Sequence, residues 1–309
     1  MATDALVSIN MPCYRQLDRA RRAVESVLQQ SFGDFELTLF DDDASDEYRD
    51  YVESIADDRV RYYRNPSRLG AMNNIFHGVR AGNGKYSLAF HEDDLLGRHY
   101  LAAAVQILEH DATCGFVAAE IHEFEEEPTE RDLARSDVSP VPVTYGAAAD
   151  FLRAMFRGME PMFGSVVYRR AALAGVTPDL DAYATLADRP FLLSILGRWS
   201  CVVIREAPLA WYRKHGNDDR HLAMSEDHIL RLFETYRATL PQPLTAEDES
   251  LFYSYTGYWL LTLFDLVAPD RRTSLRQFMF RAVGKRLYDL ASLKRSGRKR
   301  FLSRLVLNS

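Results

Sequence analysis

Two apolar runs in the first hundred residues each stop abruptly in a cluster of acids, and few folds accommodate both. Residues 35–40 (Phe-Glu-Leu-Thr-Leu-Phe) run into Asp41-Asp42-Asp43, and residues 86–90 (Tyr-Ser-Leu-Ala-Phe) run into His91-Glu92-Asp93-Asp94. Residues 6–11 and 60–64 read as further strands, and 18–30, 47–55 and 72–81 as helices, the first with Ala20, Ala23, Val24, Val27 and Leu28 at helical spacing. Strands and helices in this alternation build βαβ units on a parallel sheet. Such sheets bind ligands beyond the carboxyl ends of their strands. Acids at two such ends are much less expected by chance than acids at one. Adjacent Asp side chains are hard oxygen ligands, suited to Mg2+ or Mn2+ held together with substrate phosphates. For either cluster alone, a solvated turn or a helix N-cap is the plain alternative.

The rest of the chain extends the pattern and then changes character. Residues 100–109 read as a helix, 115–121 as a strand, and the acid-rich 122–132 as a solvated loop. A helix over 147–156, a strand over 165–168, a helix over 186–196 containing Asp188 and a strand over 200–205 follow. Beyond residue 217 helical patterns dominate, at 226–240, 245–266 and 274–290. At 309 residues and 47% hydrophobic, the chain can fill one large or two modest domains. Cys13, Cys114 and Cys201 are widely spaced with no CxxC pair, which points away from a disulfide framework or a zinc site and towards a reducing compartment. The first strand begins too early for a signal peptide. The longest apolar run, residues 258–264, falls far short of the roughly 20 residues of a membrane span.

The ordered motifs resemble a known family. A strand leads into Pro12-Cys13-Tyr14, Phe35-Glu36-Leu37 leads into Asp41-Asp42, and Gly84-Lys85-Tyr86 leads into Asp93-Asp94. Ser-Val-Leu-Gln-Gln-Ser-Phe at 26–32, the strand at 165–170, Asp188 and Trp211-Tyr212-Arg213-Lys214-His215 follow in order. Together these resemble the family 2 glycosyltransferases, inverting enzymes of the GT-A fold, over about residues 5–217. Each motif alone is weak; their order and spacing carry the resemblance.

The resemblance implies an α/β fold of GT-A type: a Rossmann-like, mostly parallel central sheet flanked by helices, with a C-terminal helical region. Residues 1–217 would form the transferase domain, about 1–98 its nucleotide-sugar-binding half and 99–217 its acceptor-binding half, and 218–309 the helical remainder. Pro12 and Tyr14 would form the first loop of the nucleotide pocket, with Tyr14 stacking on the base; core packing is its plain alternative. Asp42 would accept a hydrogen bond from the base, and Arg68 would reach base or phosphate. Asp93 would contact the ribose or the metal, and Asp94 would ligate the Mg2+ or Mn2+ that bridges the diphosphate. His215 would act near the same ion, as ligand or phosphate contact. Asp188 would be the general base that takes the acceptor's proton, with Asp179 or Asp181 as alternatives. The chain departs from the family in having Ala187 where a Glu is usual, Arg15 for the Asn after Tyr14, and His91-Glu92 ahead of Asp93. The Q-x-x-R-W motif of processive synthases is absent, which favours transfer of a single sugar.

Charge is unevenly divided. Residues 271–309 hold 12 Lys and Arg against the one acid Asp289, so the net charge of −6 splits into +11 there and −17 over the first 270 residues. A basic amphipathic helix at 274–290 fits an anionic membrane surface. Packing on the catalytic domain, or a homodimer contact through Tyr253, Tyr258 and Trp259, fits it as well. The strongly acidic remainder argues against nucleic acid. The partners the resemblance implies are a nucleotide-sugar donor (a UDP-, GDP- or dTDP-sugar) and a glycan or lipid-linked acceptor. The expected setting is bacterial cell-envelope polysaccharide synthesis, cytoplasmic, at the inner face of the plasma membrane where the basic region meets lipid. Two other readings stay open: a nucleotidyltransferase, though residues 10–18 lack a Gly-rich basic phosphate loop, and a catalytically inactive module that binds nucleotide sugar or glycan.

Overall fold

The computed structural model describes residues 5–136, 138–214 and 225–266. They form two compact units, the first holding the described residues within Met1–Ala147, Glu160–Pro178 and Phe191–Gly216, the second those within Ala148–Met159, Asp179–Pro190 and Asn217–Ser309. This discontinuous division differs from the single boundary expected after residue 217.

The first unit opens with the expected alternation: β1 (Val7–Cys13), α1 (Leu17–Leu28), β2 (Phe35–Asp41), α2 (Glu47–Glu53), β3 (Val60–Arg64), α3 (Ala71–Arg80) and β4 (Tyr86–Ala89). It continues through β5 (Leu95–Leu96), α4 (Tyr100–His110), β6 (Cys114–Ala119), β7 (His122–Phe124), α5 (Glu130–Leu133), β8 (Val141–Tyr145), β9 (Val167–Arg169), β10 (Ser200–Arg205) and β11 (Ala210–Arg213). Eight strands make one sheet in the order β3-β2-β1-β4-β9-β6-β10-β8. Neighbours β3, β2, β1 and β4 are parallel, as are β6 and β10. β9 and the edge strand β8 run antiparallel. β4 and β6 are buried at every position, as strands covered on both faces must be. Their apolar residues share a core with the inward stripe of α1 (Ala20, Ala23, Val24, Val27) and with Tyr100, Leu101, Ala104 and Leu108 of α4.

A second, three-stranded sheet runs β5-β11-β7. It corrects the reading of 122–132 as a solvated loop. Phe124 packs with Leu95, Leu133 and Trp211 in a small apolar cluster, which gives the polar segment an anchor. Three of the acids around it are paired: Glu127 with Arg213, and Glu125 and Glu123 with Lys214 at 3.2 and 3.9 Å. Thr129 and Asp132 then form a capping box that starts α5. Strand β8 has no counterpart in the sequence reading, since its Pro142 argues against a strand; at a sheet edge proline is tolerated.

The second unit is helical: α6 (Ala148–Phe156), α7 (Leu180–Tyr183), the opening residues of α8 (Asp188–Ile195), α9 (Glu226–Thr239) and α10 (Ala246–Leu266). Phe156 lies against Tyr255 and Tyr236 at ring separations of 4.8 and 5.7 Å, and Arg153 makes a two-pronged pair with Asp248 at 2.7 and 3.0 Å. These contacts draw α6 to the C-terminal helices, which is why the unit is discontinuous in sequence. Trp259, considered as a dimer contact, stacks within the unit on Phe233 and beneath the Arg189 guanidinium. Among the described residues no helix is long and apolar enough to cross a membrane. The basic stretch 271–309 lies outside the described residues.

Candidate active site

Strands β2, β1 and β4 are adjacent and parallel, so the segments that follow them emerge at one edge of the sheet. Those segments are Asp42 and its neighbours, the Tyr14 turn, and the His91–Asp94 turn. This is the edge at which open α/β sheets bind ligands. Pro12, half-buried, is the penultimate residue of β1, and Tyr14 follows directly.

The acids after β2 have separate duties. Asp41 is fully buried and accepts the Tyr62 hydroxyl at 2.8 Å and the Asp43 amide at 2.9 Å. Burial pushes its carboxyl above the ordinary range, those two donors pulling against it. Asp42 holds the loop before α3: Oδ1 accepts Leu69 N–H at 2.8 Å and the Asn65 amide at 3.0 Å, and Oδ2 accepts Gly70 N–H at 2.7 Å. Gly70 has φ +79°, a conformation that side-chain-bearing residues rarely adopt, and this turns the loop into the helix. The loop carries Arg68, whose guanidinium sits 4.3 Å from the centre of the Tyr14 ring. The structure thus brings Tyr14 and Arg68 together, a cation on an aromatic face, and Asp42 is engaged by three donors of the chain itself.

The turn after β4 gathers three potential ligands. His91, Asp93 and Asp94 each offer a ligand atom within 4.8 Å of the others. Asp94 is 1% exposed, and its Oδ1 accepts the Arg213 N–H at 3.1 Å. Its Oδ2 is buried, forms no hydrogen bond among the described residues, and lies 3.4 Å from His91 Nδ1. Burial holds the Asp94 carboxyl above its ordinary range, with the imidazole and the Arg213 amide pulling the other way. An orphaned buried carboxylate oxygen beside an imidazole and a second carboxylate fits a divalent cation: two hard oxygen ligands suit Mg2+ and Mn2+, and the nitrogen suits the transition metal better. The Arg213 side chain fixes the same turn, donating to the Asp93 carbonyl at 3.1 Å and pairing with Glu127.

Gly164 lets the cluster close. A Cβ there would come 3.1 Å from the His91 ring and 3.2 Å from Asp94 Oδ2, so both would have to yield by a few tenths of an ångström. Gly164→Ala is expected to weaken Mn2+ binding about tenfold, the scale of a disturbed ligand support. Calorimetric titration with Mn2+ reads this directly. An unchanged affinity would separate the His91–Asp94 pair from metal binding.

Glu92 lies within the turn but makes different contacts. It is 7% exposed, and burial pushes its carboxyl up to about 7 against hydrogen bonds from the Tyr48 hydroxyl and the Tyr14 amide. Sequence reasoning assigned no role to His91, Glu92, Arg213 or Glu127. The one signal was the departure His91-Glu92 from the family pattern; Arg213 stood inside a recognised motif without a duty.

The remaining sequence candidates belong to the second unit or fall outside the described residues. Asp188 is the first residue of α8 and belongs to the second unit, with the neighbouring Arg189 reaching the Tyr236 and Tyr255 hydroxyls. Asp179 caps α7, accepting Ala182 N–H at 2.9 Å, and Asp181 is exposed in the first turn of that helix. His215 lies outside the described residues.

Residues 8–171 match the family model for glycosyl transferase family 2. Over 96 residues the chain is 29% identical to the putative colanic acid biosynthesis glycosyl transferase WcaA of Escherichia coli, covering 30% of this chain and 34% of that protein. Over 92 residues it is 32% identical to the UDP-Glc:alpha-D-GlcNAc-diphosphoundecaprenol beta-1,3-glucosyltransferase WfgD of Escherichia coli, covering 30% and 36%. The matches thus span about a third of the length of these curated relatives. Among solved structures, the mannosyltransferase PcManGT of Pyrobaculum calidifontis, in complex with GDP-Man and Mn2+, aligns at TM-score 0.55 and 14% identity over 100% of this chain and 89% of its own. S. aureus TarS in complex with UDP-GlcNAc aligns at TM-score 0.54 and 12% identity over 97% and 91%. The shared mostly parallel sheet with flanking helices is the GT-A architecture.

Proposed function

The chain belongs to glycosyl transferase family 2, and from that membership we propose that it moves a sugar, with inversion, from a nucleoside-diphosphate donor to a hydroxyl of a glycan or lipid-linked acceptor. The observation that carries this reading is the convergence of the Tyr14–Arg68 stack and the His91–Asp93–Asp94 cluster beyond the ends of three adjacent parallel strands.

Tyr14 presents an aromatic face to the base, and Arg68, on the same ring, supplies positive charge for base or phosphate. Asp42 serves the pocket by holding the Arg68 loop, with a lone pair still available for the base. Asp94, with His91 and Asp93, holds a divalent cation, and Arg213 keeps that turn in place. A cation held by these residues would supply positive charge to offset that of a diphosphate leaving group. His215, outside the described residues, stays in this reading as a ligand or phosphate contact that the family resemblance implies.

Inverting transfer is a single displacement. Asp188 accepts the proton of the acceptor hydroxyl as its oxygen bonds to the anomeric carbon and the bond to the diphosphate breaks. No second carboxylate is required as nucleophile, unlike a double displacement. A lipid-linked acceptor finds support in the name of WfgD, which specifies a diphosphoundecaprenol-linked sugar. Cell-envelope polysaccharide synthesis finds support in the name of WcaA. The two structural neighbours carry different nucleotides, UDP-GlcNAc and GDP-Man, and leave the choice among UDP, GDP and dTDP donors open.

Calorimetric titration with UDP, GDP and dTDP, each with and without Mn2+, tests the reading. One of the three is expected to bind, and at least tenfold more tightly with Mn2+ present, because a cation held by Asp93 and Asp94 would add its charge to the attraction for a diphosphate. Binding of none would overturn it. Binding without turnover in a screen of sugar donors would favour an inactive nucleotide-sugar-binding module.

A further inference from the structure

We propose that Glu92 and Tyr48 together are positioning residues of the donor site: a buried brace that fixes the turn bearing Tyr14, and with it the aromatic face on which the base stacks. The inference rests on the nucleotide-sugar reading above.

The Tyr14–Gln16 turn is one that the chain does not hold by itself. Its central residue, Arg15, has φ +56°, in the left-handed region that L side chains rarely adopt. Arginine lacks the short polar group with which Asn or Asp satisfies that conformation locally. Such a backbone persists only where its surroundings over-determine it. Here the amides on either side of Arg15 are both anchored to buried groups from distant parts of the chain. Tyr14 N–H donates to Glu92 Oε1 at 2.8 Å. Gln16 N–H donates to the Tyr48 hydroxyl oxygen at 3.0 Å, and that hydroxyl donates onward to Glu92 Oε2. Tyr48 is 1% exposed and Glu92 7%, so both anchoring groups are shielded from bulk water.

The carboxylate of Glu92 is thereby committed to the turn. His91, Asp93 and Asp94 form the candidate metal cluster without it. Residues 91–94 therefore serve two ends of one donor: His91, Asp93 and Asp94 its diphosphate, and Glu92, through the Tyr14 turn, its base. On the outer side of the turn Arg15 pairs with Asp43 at 3.1 Å, an exposed contact that adds little beside the buried pair.

The test is a double-mutant cycle on the full chain, using UDP, GDP and dTDP in the presence of Mn2+ as calorimetric probes. Tyr48→Phe keeps the ring in place and removes only the hydroxyl, so the thermal melt should stay that of a folded protein. It is expected to weaken binding of the recognised nucleotide about tenfold, the scale of losing the hydroxyl's bonds to Gln16 N–H and Glu92. In a Tyr14→Ala background the same change is expected to weaken binding less than twofold, because the aromatic face it positions is already gone. Glu92→Gln, which still accepts from Tyr14 N–H, should retain more affinity than Glu92→Ala. Failure of the unaltered protein to bind any of the three nucleotides overturns the donor-site reading and this inference with it. Binding by the unaltered protein with no loss in Tyr48→Phe, or with equal losses in both backgrounds, overturns the brace alone.

Discussion

Asp94→Asn is expected to lower sugar transfer about a thousandfold while leaving the protein folded and at least as heat-stable. The side chain keeps its shape, and its carbonyl oxygen can still accept the Arg213 amide that now bonds Oδ1. What disappears is the charge on Oδ2, the buried oxygen without a hydrogen bond beside His91. A thousandfold corresponds to about 4 kcal/mol of lost stabilisation in the transition state, the scale on which a bound cation acts on a leaving group. The expected stability effect has the opposite sign. Burial raises the Asp94 carboxyl above its ordinary range, so its ionised form is unfavourable when no cation is bound, and the neutral amide removes that strain. Thermal melts with and without Mn2+, paired with a turnover assay for released diphosphate, measure both. Mn2+ should raise the melting temperature of the unaltered protein and not that of the variant. Retained turnover with intact Mn2+ stabilisation would remove Asp94 from the metal site.

Asp188→Asn is expected to lower kcat by about a hundredfold to ten-thousandfold and to leave nucleotide binding within twofold. A general base contributes on that scale, and it acts on the acceptor rather than on the donor. The split between turnover and donor affinity separates this role from that of Tyr14 or Asp94. Asp179→Asn should change turnover little, because the Asp179 side chain caps α7 and Asn caps a helix nearly as well. Full turnover in Asp188→Asn would move the base elsewhere, with Asp181 the next residue to substitute.

The elements that could be read in advance are those that carry a local signal in residue type or spacing. β3 and β10 fall on the expected bounds, 60–64 and 200–205, because each is a run of β-formers closed by turn residues. α1 is legible from Ala20, Ala23, Val24 and Val27, all fully buried at helical spacing. β7 was not legible, since His122-Glu123-Phe124 carries one apolar residue and owes its strand to pairing with Trp211–Arg213. Asp42 shows the same limit within the site. Its place after a strand suggested a ligand contact, while its bonds to Leu69, Gly70 and Asn65 come from a loop whose path the sequence does not describe.

By itself, then, the sequence determined which strands end in acids and in what order, because strand period, apolar content and the residue after each strand are local properties. Parallel pairing of β2, β1 and β4 is enough to bring those ends to one edge. Only the tertiary structure decided what each acid does there. Asp94 receives an amide from Arg213, 119 residues later, and Glu92 braces a turn 78 residues earlier. Of three consecutive acids, chemically alike on paper, the fold seals Glu92 against Tyr48 and gathers Asp93 and Asp94 with His91. Burial and the nearest donor set the role of a carboxylate, and both depend on which distant strands the sheet lays side by side.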